Sequence, residues 1–203
     1  MAYLPIDPAD IGRNYEAVIR INSQSGKGGV SYMIQEHLAI DMPRWMQMEF
    51  SRIVQQQAEN TEQEISPSKL IEHFKTAYEN TDSMSLSNYQ ITHQGEQQSF
   101  SADIHVNNSV KQINAIGQGV LEACCNALQQ ELGQTINIIE FSEQSVGKDS
   151  QAEAQAFVQI SLGQQRFGGF AQSHDTLESS LKALFSAVNH ALKSSSEKAQ
   201  QAS

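Results

Sequence analysis

Two stretches of this chain repeat one another at a fixed distance. The pattern of residues 120–128 returns at residues 176–184, with leucine, glutamate, alanine and leucine at the same places. The same offset relates Ile104 to Ile160, which lie in two upstream stretches where apolar and polar residues alternate. A constant offset that carries a strand pattern and then a helix pattern predicts a duplicated structural unit. The matched pairs, each 56 positions apart, are Leu121 and Leu177, Glu122 and Glu178, Ala127 and Ala183, and Leu128 and Leu184.

Each copy of the repeat indicates three strands followed by a helix. The alternating stretches are typical of half-buried strands, and the stretch from Val120 to about Leu132 has the apolar spacing of an amphipathic helix. The second copy keeps this order, with one apolar residue, Phe157, out of step in its middle strand. We therefore predict an α+β fold with two βββα units, at about residues 86–133 and 134–193, related by a pseudo-two-fold axis.

The residues before the repeat have a helical pattern instead. Three apolar stripes indicate helices, and the third begins with Ser66 as N-cap and Pro67 in its first turn. The small polar run at residues 80–87 is the best boundary between domains. The polar tail lacks the apolar residues needed to pack it. The predicted domains are a mainly helical linker subdomain at residues 1–85, the duplicated domain at 86–193 and a disordered tail at 194–203.

The first 29 residues carry further signals. Tyr3–Pro8 is punctuated by proline and is typical of the middle of a linker, so we expect the natural protein to extend upstream. Residues 15–21 alternate as a strand does. The Gly- and Ser-rich run Asn22–Gly29 offers backbone N–H groups that suit an anion. It lacks P-loop spacing, however, and a flexible turn before a helix explains it equally well.

Composition disfavours several classes of function. The formal net charge of −10 argues against binding the phosphate backbone of a nucleic acid, which needs clustered Lys and Arg. No apolar run is long enough to span a bilayer, and we expect a cytoplasmic protein without a membrane partner. The only cysteines, Cys124 and Cys125, are adjacent, so we expect reduced thiols on a packed helix. The six histidines lack metal-ligand spacing, which disfavours a complete small enzyme.

One turn in the first unit suggests a ligand site. The run Gly117–Gly119 places backbone N–H groups at the start of a helix, where a carboxylate is favoured. The neighbouring side chains Leu121, Ile138 and Phe141 are apolar. A site that takes a carboxylate and an aliphatic group fits a branched amino acid, although glycines that only relieve a tight turn would give the same sequence.

Several stretches resemble the long-form 2-isopropylmalate synthase family. The region that follows the catalytic barrel in that family is similar to residues 3–12, 15–29 and 43–51 of this chain, which include the run Asn-Ser-Gln-Ser-Gly-Lys-Gly-Gly. The double βββα region resembles the leucine-sensing regulatory domain of the family, through Gly-Gln-Gly at 117–119 and Ala-Val-Asn at 187–189. Together the similarity covers residues 3–193.

The resemblance implies a function for the parent protein. Members of the family are acyltransferases that condense acetyl-CoA with 2-oxoisovalerate in leucine biosynthesis, using a TIM barrel and a divalent metal. This chain shows neither the His-x-His pair nor the catalytic acidic motif of that barrel. We therefore expect a C-terminal fragment that is inactive alone and holds no cofactor or metal. Its expected role is to bind L-leucine in a homodimer for feedback inhibition.

The resemblance also implies site residues. Glu122, Phe141, Ser145 and Phe170 depart from the residues common in the family. A tyrosine that reaches the active site of the partner subunit matches Tyr15 best, although a tyrosine packed at the start of a strand is an equal interpretation. The implied leucine contacts are Gln118, Gly119, Leu121, Glu122, Ile138, Phe141, Ser145, Ala152 and Phe170.

Two alternatives remain open from the sequence. The first is the related domain of citramalate synthase, which senses isoleucine; the Asn22–Gly29 run favours the leucine family over it. The second is a stand-alone amino-acid-binding module with no enzyme attached.

Overall fold

The described part of the chain forms three helices followed by two copies of a βββα unit. We describe residues 27–61, 65–81, 83–106, 109–147 and 152–201 of the computed structural model. The order of elements and the two separate antiparallel sheets, β1-β2-β3 and β4-β5-β6, confirm the predicted duplicated α+β fold. The elements are α1 (Lys27–Leu38), α2 (Arg44–Thr61), α3 (Pro67–Tyr78), β1 (Met84–Gln94), β2 (Gln97–Val106), β3 (Ser109–Gly117), α4 (Val120–Leu132), β4 (Ile136–Val146), β5 (Glu153–Leu162), β6 (Gln165–Ser173) and α5 (Thr176–Gln201).

The duplication extends to the first strand of each unit, where the offset changes. Leu86 pairs with Ile104 and Ile138 pairs with Ile160, so Leu86 and Ile138 are equivalent at an offset of 52. The offset falls from 56 because the β4–β5 connection is four residues longer than the β1–β2 connection. Each first strand has a β-bulge directly after this residue. A bulge conserved between the copies re-aims the strand in the same way in both.

The two units share one hydrophobic core. Helix α4 packs on β3 and β2 and also contacts β4 of the other unit, while α5 packs on β6 and β5 and also contacts β1. Each unit therefore buries part of its apolar surface against the other. The core residues with the least exposure include Phe100, Ile104, Leu128, Val158, Ile160 and Leu184.

The outer face of the second sheet is covered by α1–α3. Phe157 and Phe170 are paired across β5 and β6 on this face, and their rings lie 5.1 Å apart. The Phe170 ring also contacts the Phe74 ring of α3, at 5.6 Å. This contact explains why Phe157 is out of step with the inner face of its strand. The first unit has Ser101 and Asn114 at these positions, so its outer face is polar.

The start of α3 confirms the predicted cap. Ser66 is the N-cap, its hydroxyl accepts the backbone N–H of Lys69 at 3.4 Å, and Pro67 occupies the first turn. Helix α1 begins at Lys27, so the end of the run predicted as a glycine-rich turn is helical. Buried Val30 and Ile34 anchor that helix. The predicted strand at 15–21 and residues 22–26 lie outside the described residues.

Asn80 and Met84, in the small polar run at the α3–β1 junction where the sequence predicts a linker, are buried, whereas Thr81 and Ser87 are exposed. The backbone N–H of Asn80 donates to the Ser186 hydroxyl at 2.9 Å, and that hydroxyl donates to the carbonyl of Tyr78. The Asn189 carboxamide donates to the carbonyls of Asn80, at 3.0 Å, and Met84, at 2.7 Å. These hydrogen bonds satisfy buried backbone groups of Tyr78, Asn80 and Met84 at this end of the domain.

Helix α5 continues to Gln201, through most of the segment predicted as a disordered tail. The hydroxyls of Ser195 and Ser196 donate to the carbonyls of Ala191 and Leu192, one turn earlier. The segment has neither glycine nor proline, and its Lys, Glu, Gln and Ala residues are good helix formers.

Two adjacent glycines let β6 lie between two layers of helix. A Cβ at Gly168 would lie 2.8 Å from the Trp45 ring and 2.9 Å from the Tyr78 ring. A Cβ at Gly169 would lie 2.2 Å from the carbonyl oxygen of Ala183, in α5. Because side chains of neighbouring strand residues point to opposite faces, each glycine admits the helices on one side.

We expect Gly169→Ala to destabilise the fold by about 3 kcal/mol, because its Cβ would meet backbone atoms of α5, which cannot move aside. The matched control is Gly28→Ala in α1, where a Cβ would meet nothing within 4 Å. That variant should be unchanged or stabilised by up to about 1 kcal/mol, because alanine favours a helix. Denaturant unfolding of both variants measures the difference; equal stabilities would contradict the close approach.

We expect Asn189→Ala to lower the free energy of unfolding by about 2 kcal/mol, because two buried carbonyls lose their donor. Ser196→Ala is the control on the same helix, since its exposed hydroxyl contacts only a helical carbonyl, and it should change stability by less than about 0.5 kcal/mol. Thermal and denaturant unfolding are the measurements. A neutral Asn189→Ala would show that the junction adds nothing to stability.

Candidate functional site

The two equivalent helices begin in different ways. Helix α5 has Asp175 as its cap, and the Asp175 carboxylate accepts the backbone N–H of Glu178 at 2.7 Å. Helix α4 begins after Gly119, and within the described part of the chain no side chain caps it. The first backbone N–H groups of a helix have no partner inside the helix, and they carry its positive dipole end. The start of α4 is therefore the better place for an external carboxylate.

Glu122 gives this helix start a negative group of its own. Its carboxylate accepts the backbone N–H of Gln118 at 2.9 Å, and the side chain is exposed. Its charge also acts on the Cys125 thiol, whose pKa is raised to about 11, mainly by burial and secondarily by Glu122. The positive helix end and the carboxylate together suit a ligand that carries both charges.

The two glycines before α4 serve different purposes. A Cβ at Gly117 would lie 2.5 Å from the backbone nitrogen of Ala123, so β3 can end against the helix only with glycine there. A Cβ at Gly119 would meet nothing within 4 Å. Steric relief therefore accounts for Gly117, while Gly119 leaves open space beside the helix start.

Ile138 and Phe141 lie on the inner face of β4, an edge strand. Ile138 packs against the core, whereas Phe141 is 44% exposed. The equivalent of Phe141 in the first unit is Tyr89. Burial raises the pKa of Tyr89, and the charges of Asp175 and Glu178 at the start of α5 raise it further. The pseudo-two-fold axis relates Tyr89 and the start of α5 to Phe141 and the start of α4.

Ser145 and Ala152 line a separate cavity of about 220 Å³, together with His174 and Thr176 at the start of α5. Ser145 follows Phe141 by four strand residues, which is about 13 Å. These two predicted contacts therefore share a cavity with the start of α5.

Phe170 lies on the opposite face of the second sheet from Ile138, Phe141 and Ser145. It is paired with Phe157 and packs against Phe74, so it belongs to the core under α3. The resemblance implies a ligand contact at Phe170, and the sequence does not reveal which face of β6 the residue occupies. Tyr15 lies outside the described residues.

The two cysteines are free thiols, as the sequence predicts. Both are buried, and burial raises the pKa of Cys124. Protonated buried thiols are poor nucleophiles and poor metal ligands. In the described ranges, no group of three or more His, Cys, Asp and Glu residues is arranged to hold a metal ion. No helix among the described residues is long and apolar enough to cross a membrane.

Comparison with known proteins identifies two family matches. Residues 64–192 match the LeuA allosteric (dimerisation) domain, and residues 1–35 match the post-catalytic domain-like region of alpha-isopropylmalate synthase. Among curated relatives, the 2-isopropylmalate synthase of Thermobifida fusca is 39% identical over 96% of this chain and 34% of its own length. That of Saccharomyces cerevisiae is 35% identical over 95% of this chain and 33% of its own length.

The chain spans about a third of the length of these relatives. The matches confirm the resemblance to the region that follows the barrel in 2-isopropylmalate synthases. The family match covers more than half of the residues of the chain, so the chain belongs to the LeuA allosteric (dimerisation) domain family.

Proposed function

We propose that this chain is the leucine-sensing regulatory region of a 2-isopropylmalate synthase. L-Leucine would bind at the start of α4 and inhibit the condensation of acetyl-CoA with 2-oxoisovalerate. The family description and the names of the relatives support this role. The structural observation that carries it is the uncapped start of α4 with the Glu122 carboxylate beside it.

Each part of leucine has a partner in this arrangement. The ligand carboxylate accepts hydrogen bonds from the backbone N–H groups of Val120 and Leu121, which lie in the first turn. The ammonium group pairs with Glu122, whose second oxygen is left for it. The isobutyl group packs against Leu121, Ile138 and Phe141. Glu122 is thus a partner for the ligand, although it departs from the residue common in the family.

A second copy of the chain completes the site in this proposal. Edge strand β4 exposes Ile139 and Phe141, at 40% and 44%, which is unusual for large apolar side chains on one strand. The family description names dimerisation. Ser145 and Ala152 line a cavity beside the start of α5, and in this proposal they contact the ligand of the partner.

Catalysis lies outside this chain in this proposal. The divalent metal of the reaction does not fit the described residues, since no suitable group of ligands is present among them. We assign no catalytic step to the described residues and expect no condensation activity from the chain alone. Tyr15 acting at the active site of a partner subunit remains part of the proposal.

Glu122→Ala should weaken leucine binding by about tenfold or more, because it removes a charge-assisted contact to the ammonium group. Glu178→Ala is the matched control, at the equivalent position of α5. Isothermal titration with L-leucine measures both variants against the unchanged chain. Tighter binding by Glu122→Ala would show that the carboxylate competes with the ligand. Binding of isoleucine in preference to leucine would favour the citramalate synthase alternative.

Phe141→Glu should convert the dimer to monomers, because it places a charge on the apolar strand that the second copy covers. Val110→Glu is the control, since Val110 is 60% exposed on the polar outer face of the first sheet. Sedimentation velocity over a range of concentrations measures the oligomeric state. A dimer that survives Phe141→Glu would place the interface elsewhere.

A further inference from the structure

Three glutamines in the second unit form a ladder across the outer face of its sheet. Gln144, Gln155 and Gln172 are direct neighbours on β4, β5 and β6. The Gln144 carboxamide donates to that of Gln155 at 2.8 Å, and the Gln155 carboxamide donates to that of Gln172 at 3.0 Å. The Gln172 carboxamide donates to the carboxylate of Glu153, so all the donors point one way along the ladder. Hydrogen bonds in such a chain polarise and strengthen one another.

The ladder holds the connection between α1 and α2. The Gln155 carboxamide donates to the backbone carbonyl of Ala39 at 3.2 Å, and the Gln144 carboxamide donates to the backbone carbonyl of Asp41, also at 3.2 Å. Gln155 is fully buried. A carboxamide has two N–H groups, and in both glutamines each group has an acceptor. Side chains of two neighbouring strands thus fix the connection to the second sheet.

Ala39 has a backbone conformation that alanine disfavours. Its φ is +53°, and among the described residues it is the only non-glycine residue with a positive φ. Its N–H donates to the carbonyl of Gln35 at 3.0 Å and closes the end of α1. Glycine usually occupies this place, because a Cβ is unfavourable in the left-handed conformation. Gln155 therefore holds the carbonyl of a strained residue, and the strain favours another path of the connection when that hydrogen bond is lost.

The first unit has other residues at the three positions of the ladder. The counterparts are Thr92, Ser99 and Ile116, which pair in the same register on β1, β2 and β3. A hydroxyl has one O–H group and the side chain of isoleucine has no donor, so these residues cannot hold a connection in the same way. The glutamines thus belong to the unit that the helical region, α1–α3, covers.

Both ends of the ladder lie at the cavity that Ser145 and Ala152 line. Gln144, the first donor, lines the same cavity, and so does His174 at the start of α5. The Nε2 atom of His174 lies 3.8 Å from the carboxylate of Glu153, where the ladder ends. A ligand that displaces β4 or the start of α5 therefore acts on the hydrogen bonds that hold the connection between α1 and α2.

We propose that the glutamine ladder couples this cavity to the helical region. The inference rests on the proposed function, in which Ser145 and Ala152 contact the ligand of the partner. Ligand binding displaces the Gln144 carboxamide, the hydrogen bonds to the connection change together, and Ala39 leaves its strained conformation. Coupling between sites needs an element with two arrangements, and the connection at Ala39 is that element. Gln144 and Gln155 are positioning residues, because they act through the connection.

The test uses the methyl group of Met42 as the reporter, because Met42 is buried and directly follows Asp41 in the connection. In the 203-residue chain labelled with methyl-¹³C methionine, saturating L-leucine should shift the Met42 signal. A Met42→Leu variant assigns that signal. The signal of Met84, which lies in β1, checks that each variant is folded. Calorimetry on the same samples measures leucine binding separately.

Gln144→Leu should abolish the shift of Met42, because the leucine side chain donates no hydrogen bond to the connection. The matched control is Thr92→Val at the counterpart position of β1, and it should leave the shift unchanged. Comparison at saturation makes the result independent of any change in affinity.

Ser145→Leu tests the ladder without a ligand. Ser145 is exposed on an edge strand, so a larger side chain there fills the cavity and leaves the core intact. This variant should shift the Met42 signal, and the shift should vanish when Gln144→Leu is added. The ladder proposal is overturned if bound leucine leaves Met42 unshifted, or if either shift survives Gln144→Leu. Absence of heat with L-leucine would contradict the proposed function, and the response of Met42 to Ser145→Leu would then decide the ladder proposal alone.

Discussion

The close approach of helices to both faces of β6 is the constraint on which the rest of the structure depends. Gly168 admits Trp45 and Tyr78 on one face, and Gly169 admits the backbone of α5 on the other. With larger residues at these positions, the helical region and α5 could not pack on the same strand. That packing buries Phe157 and Phe170, and it sets the α3–β1 junction against Ser186 and Asn189. The second unit is therefore a three-layer structure, while the first unit has one open polar face.

The duplicated fold is largely predictable because its signal is periodic. The alternation around Ile104 and Ile160 and the helical spacing of residues 120–128 and 176–184 each indicate one element type, and the constant offset relates them. The cap at Ser66 is predictable because it depends on two adjacent residues. The burial of Asn80 and the helical extension to Gln201 are not predictable in this way. The burial of Asn80 depends on a contact with a residue more than a hundred positions away, and the helical extension depends on cooperativity with a packed helix.

The candidate site, too, is predictable from the sequence only in part. The glycine run before α4 marks the helix start in the sequence, and the lack of a capping side chain follows from Gly119. The Gln118 backbone N–H donates to the Glu122 carboxylate only because of the three-dimensional turn, so the sequence does not reveal this hydrogen bond. From the sequence alone, Glu122 is a poor fit to an aliphatic ligand. Leu86 and Tyr89 are the counterparts of Ile138 and Phe141 at an offset of 52. A search at the offset of 56 does not find these pairs. The sequence does not show that Phe170 lies on the outer face of the second sheet, because β6 is too short and too rich in glycine for apolar and polar residues to alternate clearly.

The Asn189 carboxamide constrains how the molecule can move. One side chain holds the carbonyls of Asn80 and Met84, which lie on either side of the connection between α3 and β1. A large change in the separation of these carbonyls would break a buried hydrogen bond and leave a buried carbonyl without its donor. The junction therefore resists movement of the helical region relative to α5.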